Sequence, residues 1–363
     1  PVEKSFGKRL DKSYVQQREK WERLYEATQT KGDGEAHPAL SPNDEFADFE
    51  TWDKGNLDGS VAKTKDMLAG EYARSAYKSG LKLEEKLGTN PYKFGLVGSS
   101  DAHTGLAALE EENFFGKTTP QEPSPERISA VFMNNKKTGI TIHDWEVGSS
   151  GYAAVWAEEN TRESIWDAME RKETYATTGT RMIVRFFGGW EFEDADANTR
   201  NPADTGYLKG VPMGGDIHSA PNGKTPTFLV AALRDPIGAN LDRIQIIKGW
   251  LDQKGNLKEK VYDVAWSDNR KPNSEGKIPA VGSTVDIENA TWTNTIGATE
   301  LIKVWKDPDF NPKERAFYYA RVIEIPTPRW TAYDQKRFGI TAPEGTRLTI
   351  QERAYTSAIW YTP

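Results

Sequence analysis

Two short loops hold the side chains best suited to chemistry. In Gly98-Ser-Ser-Asp101-Ala-His103-Thr-Gly105 an aspartate and a histidine stand two apart, just after a short apolar run. A carboxylate oxygen and an imidazole nitrogen so spaced can be aimed at one cation, and the pair suits Zn²⁺, Mn²⁺ or Fe²⁺. Such ions lower the pKa of bound water and turn it into a nucleophile. The competing reading is a turn aspartate capping the next helix beside a packed histidine. In Gly32-Asp-Gly34-Glu35-Ala-His37-Pro38 the carboxylate-x-histidine spacing repeats, with glycines that allow close backbone approach. There the competing reading is a solvated turn.

The chain has four histidines, His37, His103, His143 and His218, so a histidine-rich metal site must be sparse or completed from elsewhere. His143 reads as a partly buried ring rather than a ligand, and His218 as a surface residue. Arg181 closes the stretch Thr174-Tyr-Ala-Thr-Thr-Gly-Thr-Arg181. Its planar fork can clamp a phosphoryl, sulfuryl or carboxylate group; the alternative is an exposed arginine at a strand edge. Arg329, Trp330, Tyr333 and Asp334 form a polar-aromatic stretch that either lines a pocket or fills an interface between domains. The absence of cysteine excludes disulfides, thiolate nucleophiles and cysteine-based zinc sites. No nucleophile elbow, P-loop or dinucleotide fingerprint occurs.

The elements that must position these residues change character along the chain. A helix is expected after Ser13, with Tyr14, Trp21, Leu24 and Tyr25 on one face, and a second from about Thr64 to Leu87, stopped by Gly88 and Asn90-Pro91. A short buried strand over 92–97 then leads into the Asp101 loop. A further helix is expected from Asn160. Beyond about residue 187, strand-like runs dominate: 227–233, 243–251, 259–266, 300–305 and 316–325, with a hairpin at Lys254-Gly255-Asn256. The expected architecture is α/β plus β, with residues 1–190 forming one domain and 191–363 a β-sandwich-like second domain. The surplus of aromatic residues predicts that the two dock, with Trp330 and Tyr333 at the interface.

Composition narrows the classes further. The 12 Trp, 14 Tyr and 14 Phe in 363 residues are too much aromatic surface for a disordered chain. Apolar runs are too short for a membrane-spanning helix. A net charge of −7 and a pI near 5.4 argue against nucleic acid as partner.

The Gly98–Gly105 motif resembles the last metal-binding motif of the polymerase-and-histidinol-phosphatase (PHP) superfamily. More closely, the chain resembles a bacterial domain-of-unknown-function family of PHP-like hydrolases over residues 31–38, 45–59, 98–105, 159–181, 315–330 and 356–360. The resemblance implies a distorted β/α barrel, of which residues 1–190 would be the C-terminal part. It also implies two or more divalent ions (Zn, Mn or Fe) in the complete barrel, with Asp101, His103, Glu35 and His37 as ligands. A metal-bound hydroxide would attack a phosphoester, phosphonate or sulfate-type substrate, with Arg181 clamping the small anionic substrate. Carbamate or amide hydrolysis, and a non-catalytic module binding a glycan or envelope partner, are the alternatives. The expected location is the bacterial periplasm or cell envelope, with the cytoplasm left open. Superfamily members open on a His-x-His motif that occurs nowhere here. The expectation is therefore a preceding N-terminal segment that completes barrel and site, or else a degenerate site. The start at Pro1-Val2 without methionine points the same way, to a processed or trimmed chain.

Overall fold

The computed structural model describes residues 4–5, 8–149 and 151–363. Helix α1 covers Lys12–Trp21 and is capped by Asp11, whose side chain accepts the Tyr14 N–H at 2.9 Å, rather than by Ser13. The helix stops at Trp21, which is 70% exposed, and Leu24–Gln29 is a strand, β1, paired with the two-residue strand β2 (Gly32–Asp33). The helix expected over 64–87 is broken: Lys65–Leu68 forms one turn and α2 starts afresh at Ala73. It runs to Leu87 and ends on Gly88 at φ 75°, a left-handed position that glycine adopts without strain. Strand β3 (Gly95–Gly98) lies parallel to β1, so β1, α2 and β3 make one β–α–β unit.

The remaining elements build two larger sheets. Strand β4 (Tyr152–Val155), helix α3 (Arg162–Glu170, capped by Thr161) and strand β5 (Thr174–Thr177) are followed by β6 (Ile183–Gly189), β7 (Thr227–Leu233), β8 (Leu241–Leu251), β9 (Leu257–Trp266), β10 (Glu300–Lys306) and β11 (Ala316–Glu324). Helix α4 (Trp330–Phe338) and strands β12 (Arg353–Thr356) and β13 (Ile359–Thr362) close the chain. A four-stranded sheet has the order 210–212, β6, β7, β10. In the eight-stranded sheet, β11 takes β8 along one edge and β12 then β13 along the other.

Strand β11 is buried at all nine positions because the eight-stranded sheet is covered on both faces. Tyr318, Ala320 and Val322 join Phe186, Phe228 and Val230 in the core between the two sheets. Phe317 and Tyr319, of opposite parity, meet Tyr77, Leu81, Phe94 and Leu96 from the β–α–β unit. The layers are thus sheet, sheet, and β–α–β.

Two expectations need correction. Among the described residues no sheet closes into a barrel; the α/β part is a three-stranded sheet, β2-β1-β3, with α2 laid on the central sheet. The division expected at residue 190 does not separate two cores. β5 pairs with β12 through Tyr175–Thr356, Ala176–Tyr355 and Thr177–Ala354, so residues on both sides of 190 share one sheet. Trp330 is 1% exposed and packs with Phe114 and Val147, while its indole N–H donates to the Val147 carbonyl at 2.9 Å. The change of pattern near 187 marks where strands replace helices, not where one core ends. Among the described residues no helix is long and apolar enough to cross a membrane.

Candidate functional site

Because β1 and β3 run parallel, the loops that follow them leave the same end of the sheet, the end at which open α/β sheets hold ligands. Lys31 comes two residues after β1, and Asp101 three residues after β3. The start of β4 is tied to this end by the Gly151 N–H donating to the Ser99 carbonyl at 3.1 Å. Asp101 itself sits at φ 45°, a left-handed conformation uncommon for a side chain with a Cβ, though one that aspartate tolerates better than most.

Two ammonium groups converge on the Asp101 carboxylate. Lys31 and Lys117 both form ion pairs with its Oδ2. The Lys117 Nζ also lies 2.9 Å from the Asp101 carbonyl oxygen and 3.2 Å from Nε2 of His103. That Nε2 is 3.1 Å from Asp101 Oδ1. An ammonium can only donate, so with the imidazole proton on Nδ1 the Nε2 lone pair accepts from Lys117. Burial alone would raise the Asp101 carboxyl, but hydrogen bonds and charge from Lys117 and Lys31 outweigh it and hold the group down at about 2. Burial, with Lys31 adding to it, holds the Lys117 ammonium below its ordinary range against the pull of Asp101. The His103 ring is 60% exposed, whereas Asp101 and both lysine side chains are mostly buried.

This donor set fits a divalent cation. A carboxylate oxygen, a main-chain carbonyl and an imidazole nitrogen, ligand types that divalent metals take, gather around one positive charge, the Lys117 ammonium. Among the described residues no group of three or more His, Cys, Asp or Glu side chains is arranged to hold a metal ion.

Glu35 and His37 are not brought to it. Glu35 is 1% exposed, and both its oxygens are engaged: Oε1 by Arg74 at 2.5 Å and by the Tyr319 hydroxyl, Oε2 by Arg321 at 3.2 Å. Asp44 completes the cluster, 2.6 Å from Arg321 and 2.8 Å from Arg74, and these arginines outweigh its burial and hold it well below the ordinary range. The network therefore ties the Glu35 loop to α2 and β11. Beside it, burial and the Glu35 charge push the Asp33 carboxyl up to about 8. On His37, Nδ1 accepts the Ala39 N–H at 3.1 Å, which leaves Nε2 protonated and 3.0 Å from Asp53. Neither ring nitrogen has a lone pair to spare. The carboxylate-x-histidine spacing is the same as at Asp101, but the neighbours differ.

Arg181 follows β5, a strand of the eight-stranded sheet, and its guanidinium is exposed. It lies 3.2 Å from Glu110 and 3.2 Å from the Tyr152 hydroxyl, and no hydrogen bond or ion pair joins it to Asp101 among the described residues. His143 is half-buried and stacks on Trp145, and His218 is exposed. Lys31 and Lys117, which the sequence reading passed over, are the charged partners the structure adds. A lone lysine has no spacing signature; only the fold reveals that both reach one carboxylate.

Fold and site together define a layered α/β-plus-β protein with a carboxylate–imidazole pair at the C-terminal end of a parallel strand pair. The chain belongs to the family described as Protein of unknown function (DUF3604), whose model matches residues 1–363. A comparison with curated proteins finds no match.

Proposed function

We propose that this chain is part of a metal-dependent hydrolase acting on phosphoester, phosphonate or sulfate-type substrates. The observation that carries the reading is the convergence of Asp101 Oδ2, the Asp101 carbonyl and His103 Nε2 on one ammonium group. Asp101 and His103 would hold the ion, Zn, Mn or Fe, and a second ion would need ligands beyond those two. When bound, such a cation supplies Lewis acidity, which makes water a better nucleophile and offsets charge developing on the substrate. The chain's own residues then have defined tasks. Asp101 stays ionised and acceptor-only, and the exposed His103 ring keeps one face toward incoming substrate.

The same reading includes a preceding N-terminal segment that completes sheet and site. Strand β1 is paired with β3 on one edge, while β2 covers only Thr28 and Gln29 on the other. Leu24 and Glu26 therefore face an edge without a partner strand among the described residues. Beside that edge lies a groove of about 810 Å³ lined by Trp21, Tyr25, Tyr72, Phe94 and Trp166. Trp166 is 65% exposed. Large aromatic faces beside an open parallel strand suit a further strand and its cover.

Metal analysis of the purified protein tests the reading, followed by a hydrolysis panel of phosphomonoesters, phosphodiesters, phosphonates, sulfates and carbamates. Bound metal and turnover that both vanish in Asp101→Ala and His103→Ala support it. Turnover that survives both substitutions contradicts it.

A further inference from the structure

We propose that Lys31 and Lys117 form a two-ammonium cradle for a tetrahedral oxyanion, the phosphoryl or sulfuryl group of the substrate; it rests on the hydrolase reading only for the reaction that group undergoes. The charge count motivates it. Two lysines share the single carboxylate of Asp101, and among the described residues neither ammonium pairs with any other acidic side chain. The site therefore carries a surplus positive charge in a chain whose net charge is −7. The Lys117 side chain is 8% exposed and that of Lys31 18%, so water screens this surplus only in part. An anion balances it.

The two lysines divide the work. Lys117 spends its donors on Asp101 Oδ2, the Asp101 carbonyl and His103 Nε2. Lys31 spends one, on Oδ2, and its other two N–H groups have no acceptor among the described residues. Lys31 is therefore the group free to reach an oxyanion at once. Lys117 contributes its charge in the metal-free site, since without it Lys31 and Asp101 merely neutralise each other, and its donors come free when a cation takes over Asp101 and His103. Its main chain stays fixed, since its carbonyl accepts the His103 N–H at 2.7 Å, so only the ammonium moves. The Lys31 loop is held likewise, by the Gly148 N–H on the Thr30 carbonyl at 2.9 Å and the Lys31 N–H on Gln29 at 2.8 Å. Two point charges on anchored loops suit a compact oxyanion with several acceptor oxygens. The anion-clamping task expected of Arg181 is assigned to this pair instead, because the exposed Arg181 guanidinium has no hydrogen bond or ion pair to Asp101 among the described residues.

The test uses the full chain and two separate titrations followed calorimetrically. Inorganic phosphate, then sulfate, is titrated into EDTA-treated protein, and Mn²⁺ is titrated in anion-free buffer. Lys31→Met and Lys117→Met should each weaken phosphate or sulfate binding at least tenfold, while the exposed Lys137→Met leaves it unchanged. Lys31→Met should retain Mn²⁺ binding, and its unchanged circular dichroism would show that the fold persists. Anion binding equally strong in Lys31→Met and wild type, or no binding of either anion by folded wild type at millimolar concentration, overturns the cradle. Anion binding that depends on both lysines, in protein that never takes up Mn²⁺, keeps the cradle and sinks the hydrolase reading.

Discussion

The ammonium of Lys117 lies 3.2 Å from Nε2 of His103, the nitrogen that would face a metal ion. Together with its ion pair to Asp101, this makes the lysine an internal cation that any external one must displace. Lys117→Met removes that competitor while keeping the length of the side chain. The expected outcome is Mn²⁺ or Zn²⁺ binding several-fold tighter than in wild type, read by competition with a fluorescent chelator. Weaker binding would show that Lys117 supports the metal site rather than filling it.

Glu35 holds two buried arginines that arrive from different elements, Arg74 on α2 and Arg321 on β11. Glu35→Gln strips one charge from the cluster and leaves Asp44 on Arg321, and Asp44 with Glu259 on Arg74. Removing one partner of a buried ion pair costs about 3–5 kcal/mol. Chemical denaturation should show a loss of that order, with metal stoichiometry unchanged. A fall in metal content without loss of stability would return Glu35 to the ligand set.

Glu324 gives the chain a pH dependence of opposite sign to that of an ordinary carboxylate. Burial pushes its carboxyl from 4.5 up to about 8, against a hydrogen bond from Thr180 and with the Asp235 charge adding to it. Between those two values the unfolded chain has lost the proton and the folded chain keeps it. Folding is then linked to proton uptake, so this group lowers stability as pH rises from about 4.5 to about 8. Glu324→Gln removes the effect. Its melting temperature relative to wild type should be higher at pH 8.5 than at pH 5 by at least about 2 °C. An equal difference at both pH values would show that Glu324 is ionised in the fold.

Trp330 joins α4 to the loops around Phe114 and Val147, and the Arg127 guanidinium lies 4.6 Å from its ring centroid. Trp330→Ala should cost about 3–5 kcal/mol as a large buried ring is lost. Because one sheet spans both halves of the chain, calorimetry should still show a single transition at lower temperature. Two resolved transitions would mean that the halves on either side of residue 190 fold independently after all.

The β-rich half was legible because its strands are long apolar runs bounded by turn residues. β7 coincides with the expected 227–233, and the β8–β9 hairpin turns at Gly255, whose φ of 79° suits glycine. β1 was hidden because Leu24 and Tyr25 stand three and four residues after Trp21 and so imitate a helical face. Trp21, expected on one helical face with Leu24 and Tyr25, lies exposed beside the groove next to β1, as does Trp166. Asp101 and His103, singled out by their spacing after a strand, do lie side by side, with Nε2 3.1 Å from Oδ1. The identical spacing at Glu35–His37 misled, because what decides its role is Arg74 and Arg321, which only tertiary structure delivers. Lys31 and Lys117 were invisible for the same reason.

Asp101 and His103 are proposed here as half of a cation site. Metal content of wild type, Asp101→Ala and His103→Ala, measured by elemental analysis after equilibration with Mn²⁺ and Zn²⁺ and gel filtration, tests it most directly. His103 is largely exposed, so His103→Ala should fold like wild type. Retained metal in wild type and its loss in both variants are the expected result. Equal metal content in all three proteins would contradict it.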